Sequence, residues 1–142
     1  MLMKNNFFIE EEHDDVNLLI PSDKHIESCL HYSSVFLKKA INVCIVTVSE
    51  IKMASLNIQY RNKTGSTNVL SFPDESPQVE GTIYFCPQVI DREKPDSLAH
   101  WSLLLVHSIL HLAGYTHEND SDAEIMEKAE SEILRNLPKE YI

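Results

Sequence analysis

The stretch from Leu98 to Ala113 contains no aspartate, glutamate, lysine or arginine and is the most apolar part of the chain. Asp96 or Ser97 stands where a helix N-cap belongs, and Gly114 falls in the C′ position that favours a left-handed turn. One long helix is therefore predicted between them. The stretch is too short to cross a bilayer comfortably, and it carries three histidines, His100, His107 and His111. A soluble fold is the expectation. The chain has 142 residues, 43% of them hydrophobic and 24% charged, which suffices to bury one core. With no repeat and no linker in view, residues 1–142 are read as a single domain.

The other predicted elements are shorter. Asn6 to Glu12 reads as an opening strand. Pro21, Ser22 and Asp23 start a helix, with Ile26, Leu30, Ser33, Ser34 and Leu37 at helical spacing. Lys38 and Lys39 are placed in its last turn, where cations suit the dipole. Val43 to Val48 is short and rich in β-branched residues, as a buried strand would be. Ser49 is expected to cap a helix over about Glu50 to Tyr60, with Ile51, Ala54, Ser55 and Ile58 facing inward. Arg61 to Thr67 is a polar loop, and Val69 to Phe72 and Gly81 to Phe85 read as two further strands. Ser121-Asp122-Ala123-Glu124 has the form of a capping box. It opens a last helix with Ile125, Met126, Ala129, Ile133 and Leu137 on one face, ended by Pro138. Helices and strands interleave without a clean βαβ alternation, so the expected class is α+β, a small mixed sheet packed with helices.

Net charge is −10, which argues against a protein that coats nucleic acid by bulk electrostatics. The charge is uneven, however. Residues 35–72 carry five bases (Lys38, Lys39, Lys52, Arg61 and Lys63) against Glu50 alone, while both flanking segments are acidic. The three cysteines, Cys29, Cys44 and Cys86, lie far apart with no CxxC pair, so neither a disulfide framework nor a thiolate zinc finger is expected. The N-terminal segment turns acidic where a signal peptide needs an apolar region, and a cytoplasmic location is the expectation.

Chemistry concentrates between His107 and His117. His107 and His111 are four apart on the predicted helix, so both imidazoles point the same way, one turn apart. Gly114 lets the chain reverse, and His117 arrives from the loop with a third nitrogen. Three ligands with an open fourth position make the catalytic type of zinc site. Zinc is favoured over iron because no carboxylate completes a two-histidine facial triad here. The spacing matches the histidines and glycine of HExxHxxGxxH, but Ser108 stands where a zinc peptidase keeps its glutamate base. A peptidase is thereby disfavoured. His100 lies seven before His107, about 10.5 Å up the axis, too far to share a metal, and is read as a cleft-lining or core residue.

These residues resemble the YbeY family of bacterial metal-dependent endoribonucleases. The resemblance rests on His107, His111, Gly114, Tyr115 and His117. A second motif contributes Leu56-Asn57, Tyr60-Arg61, Thr67, Val69, Leu70, Ser71 and Phe72, followed by Gly81, Ile83, Met126 and Glu130 in the family's order. It covers most of the chain from about residue 43. The family usually has aspartate where this chain has Asn68, Thr82 and Thr116. Each change removes a carboxylate of the kind that orients a ligating histidine or a water, but none removes a zinc ligand.

The resemblance implies a zinc-dependent endoribonuclease that prefers single strands, matures ribosomal RNA and works at the small ribosomal subunit. The expected metal ligands are His107, His111 and His117, one zinc ion per chain. Arg61 is the candidate for gripping the scissile phosphate, because its planar fork matches phosphate oxygens, and Arg61 with His111 forms the expected catalytic pair. Lys63, Lys38 and Lys39 are candidates for guiding the RNA backbone, and Tyr60, Phe72 and Tyr84 for stacking bases. The competing reading is a ribosome-associated binding factor whose zinc is structural.

Overall fold

In a computed structural model, which describes residues 4–12 and 17–142, the period-two segments of the chain assemble into one four-stranded sheet. Residues 1–3, on which part of the signal-peptide expectation rests, lie outside the described residues. The elements run β1 (Asn6–Glu12), α1 (Asp23–Leu37), β2 (Ile41–Val48), α2 (Glu50–Arg61), β3 (Val69–Pro73), β4 (Val79–Phe85), α3 (Pro87–Glu93), α4 (Leu98–Leu112) and α5 (Asp120–Arg135), closed by a 3₁₀ turn at Lys139–Tyr141. The strand order is β1-β2-β4-β3. β1, β2 and β4 are parallel, and β3 runs antiparallel along β4 at an open edge. The class is α+β, as expected. One βαβ unit is nevertheless present, since α1 carries the chain from β1 to its parallel neighbour β2.

Alternation decides which sheet face is buried. Val43 and Ile45 on β2, with Val79, Ile83 and Phe85 on β4, meet α1, α4 and α5 in the main core. α4 lies at the centre, touching α1, α5, β3, β4 and the closing turn. Its Trp101, Leu105, Val106, Ile109 and Leu110 are buried, and the Ser97 hydroxyl caps it by accepting from His100 N–H at 3.0 Å. On the opposite face α2 covers only part of the sheet, over Val46, Val48 and Leu70. Gly81 sits where β3 crosses close to β4 and α4. A Cβ there would stand 2.3 Å from the Phe72 carbonyl oxygen and 2.8 Å from a Leu112 methyl carbon. No helix among the described residues is long and apolar enough to cross a membrane. All three cysteines are free, and burial pushes the Cys29 thiol up to about 12.

Several expectations need correction. α2 turns Met53, Leu56 and Asn57 inward, whereas Ile51 is 86% exposed and Ser55 and Ile58 also face solvent. The sheet groove beneath α2 takes the flexible Met53 and the Leu56 side chain, and Asn57 donates from Nδ2 to the Gly65 carbonyl at 2.8 Å, tying down the loop after the helix. α5 is capped by Asn119, whose side chain accepts from Asp122 N–H at 2.8 Å, so the Ser121 box is not used and Ile125 is exposed. α1 stops at Leu37. Lys38 then adopts φ 57°, so neither it nor Lys39 stands in the last helical turn. α3 and the closing 3₁₀ turn are elements the sequence pattern did not announce.

Candidate metal centre

α4 and the reversal after it build the site. His107 and His111 project from the last turns of α4. Gly114 takes φ +100°, and Tyr115 N–H closes on the Leu110 carbonyl at 3.0 Å, which folds the loop back over the helix end. The same reversal brings His117 beside the other two rings. Ring centroids lie 4.5 Å (His107–His111), 5.0 Å (His111–His117) and 5.5 Å (His107–His117) apart. One nitrogen of each imidazole lies within 4.8 Å of the others.

Hydrogen bonding assigns the tautomers. Nδ1 of His107 meets a Glu130 carboxylate oxygen at 3.0 Å, and Nδ1 of His111 meets the Tyr115 carbonyl at 2.9 Å. Both partners only accept, so each Nδ1 carries the hydrogen and donates it. In neutral rings both Nε2 atoms are then bare lone pairs, and they face each other at 3.0 Å. Two lone pairs at that distance repel unless a cation sits between them. Two nitrogens on one tetrahedral zinc ion stand about 3.3 Å apart, so the His107 and His111 pair is already near that spacing, with the His117 nitrogen within 4.8 Å of both. Burial, and then the neighbouring His107, push the His111 imidazolium below its ordinary range, which favours the neutral, ligating form.

The three rings line one face of a cavity of about 520 Å³, with β3 residues Val69, Ser71 and Pro73, Asn68, Thr116 and Arg61 around it. Arg61, at the end of α2, is exposed, and its guanidinium has no ion-pair or hydrogen-bond partner among the described residues. Ser108 is buried and donates its hydroxyl back to the Leu104 carbonyl at 2.7 Å, so it contributes nothing to the cavity. Among the described residues the lining contains no carboxylate.

The remaining expected residues scatter. His100 does not line the cavity; its Nε2 meets Glu93 at 2.9 Å, and Glu93 also accepts from the Asn68 amide at 3.1 Å. Thr116 donates to Asp122 at 3.2 Å. Thr82 pairs with Cys44 and Phe72 in register on the α2 side of the sheet, away from the imidazoles. Lys38, Lys39 and Lys63 are exposed and outside the cavity. Tyr60, Phe72 and Tyr84 form an edge-on ladder with centroids 5.1 and 5.7 Å apart. Sequence spacing gave no reason to single out Glu93 or Asp122. Glu130 had entered only through its place in the family's order, because its contact with His107 spans 23 residues between two helices.

A mixed sheet with three imidazoles converging over a cleft defines a candidate metal-binding α+β protein. The model of the family described as endoribonuclease YbeY matches residues 8–138, and the chain belongs to that family. The solution structure of TM1509 from Thermotoga maritima, described as VT1, a NESGC target protein, is similar. It shares 28% sequence identity at a TM-score of 0.53, covering 89% of each chain.

Proposed function

We propose that the chain, acting as one domain over residues 1–142, is a zinc-dependent endoribonuclease that cuts single-stranded ribosomal RNA during maturation of the small ribosomal subunit in the cytoplasm. Family membership supports the endoribonuclease reading. The observation that carries the metal reading is the pair of bare Nε2 atoms facing at 3.0 Å, with both Nδ1 hydrogens already committed. His107, His111 and His117 would hold the ion, and an all-nitrogen set of three with an open position suits zinc. Bound there, the ion supplies Lewis acidity to a water or a phosphoryl oxygen. Arg61 offers its two-pronged guanidinium across the same cavity, free to take phosphate oxygens. Glu130 and the Tyr115 carbonyl hold the His107 and His111 rings in one tautomer, so their ligating nitrogens stay aimed at a common point.

The lack of a carboxylate among the described lining residues is the observation that favours the second reading, a ribosome-associated binding factor with a structural zinc. A cleavage assay on single-stranded RNA separates the two. We expect cutting that a chelator abolishes, that zinc restores, and that Arg61→Ala reduces at least tenfold. Zinc-loaded protein that binds RNA without cutting it would select the binding factor.

A further inference from the structure

We propose that the exposed Tyr60 ring, braced edge-on by Phe72 at the rim of the metal cavity, is a stacking platform for a single RNA base adjoining the phosphate that Arg61 holds. The inference rests on the RNA reading above and deepens it. Two pairs of chain neighbours join the rim to the cavity. Arg61 and Pro73 line the cavity, while Tyr60 and Phe72 stand next to them on the other side of β3. Since β3 is the open edge of the sheet, nothing in the fold separates the two sides beyond that one strand. Consecutive Cα atoms are about 3.8 Å apart, so the aromatic rim begins within a nucleotide's reach of Arg61.

Tyr60 is 58% exposed for a large aromatic, and its only ring neighbour among the described residues is Phe72, at 5.1 Å and 67°. Phe72 is in turn braced by Tyr84 at 5.7 Å and 83°. The ladder braces the Tyr60 ring edge-on, while more than half of the residue's surface stays open to solvent. Charge favours a polyanion here, because the exposed Arg61 and Lys63 follow Tyr60 within three residues and neither has an ion-pair partner among the described residues.

Charge also sets the limit of the platform. Asp74 and Glu75 follow Pro73, and Glu10 shares the sheet row of Val46, Tyr84 and Leu70. Glu10 and Glu12 act on the Tyr84 end of the ladder and Asp74 and Glu75 follow its middle rung, so a strand held at the Tyr60 end is repelled beyond it, and the site accepts one base without spreading across the sheet.

Binding of 2′-O-methyl oligouridine, checked by gel to stay intact through the measurement, to the zinc-loaded protein tests this, against a matching oligomer lacking every base. Tyr60→Ala should weaken binding of the base-bearing oligomer about tenfold and of the baseless one less than twofold, while Tyr60→Trp retains affinity. Arg61→Ala should weaken both oligomers. Equal effects of Tyr60→Ala on the two oligomers, or no effect on either, would overturn the platform, and the ladder would then be packing or a protein-facing surface. If Arg61→Ala keeps its effect in that case, the RNA reading survives. If wild-type protein binds neither oligomer, both fall. Unchanged zinc content and melting temperature in the Tyr60 variants show that the fold is intact.

Discussion

His107 owes its orientation to a single acceptor, the Glu130 carboxylate at 3.0 Å. Glu130→Gln can present an amide nitrogen to the same Nδ1 and free the ring to change tautomer. We expect zinc affinity to drop about 10- to 100-fold, read by competition with a chromophoric chelator. Unchanged affinity would show that the Glu130 contact does not orient the ring. His25 is a histidine of the opposite kind. Its Nε2 lies 2.7 Å from the Ser102 hydroxyl, which spends its own hydrogen on the Tyr141 carbonyl, so Nε2 must donate. Nδ1 is buried without a partner among the described residues, and the ring stacks on Tyr141 at 4.1 Å. Burial lowers its pKa to about 4, against a smaller opposing pull from Glu140. The unfolded chain therefore binds a proton between pH 6.5 and pH 4 that the folded chain refuses. This contribution to stability is complete above pH 6.5 and is lost as pH falls to about 4, by roughly 3 kcal/mol. Urea titrations of wild type and His25→Gln should differ in pH slope across that window; parallel slopes would contradict it.

Gly114 governs how His117 reaches the other imidazoles. At φ +100° an alanine is strained, and Gly114→Ala should cost about 1–2 kcal/mol of stability while weakening zinc binding. Denaturation with and without zinc checks both, and full zinc affinity in that variant would remove the turn from the account of the site. The turn was legible in the sequence because a glycine just past an apolar helix has a local cause. So was the i, i+4 pairing of His107 and His111. What the sequence hid depends on partners far along the chain. The inner face of α2 is chosen by the sheet beneath it, which seats Met53 and Leu56 and leaves Ile51 outside. Asn119 caps α5 in place of Ser121, since its side-chain oxygen accepts from Asp122 N–H while its amide nitrogen donates to the Asp122 carboxylate. α3 is a short helix opened by Pro87 without a side-chain cap, too brief to show a period. Glu93, Glu130 and Asp122 acquire their roles only when separate elements meet.

For the whole molecule, the fold places the only trio of ligand-type side chains grouped among the described residues at the C-terminal end of its central helix, beside an open sheet edge. An ion bound there links α4 to the loop carrying His117 and stabilises the native state alone. At zinc a hundredfold above its dissociation constant, unfolding should become harder by about 2.7 kcal/mol, which raises the melting temperature by roughly 10 °C. No shift would mean that the imidazoles do not share an ion. Metal stoichiometry tests the claim most directly. Chelator-stripped protein, reloaded with zinc and freed of excess, is predicted to carry about one ion per chain, and His107→Ala, His111→Ala and His117→Ala are each predicted to lose it. Protein that retains no zinc, or that retains it undiminished in all three variants, would contradict the assignment.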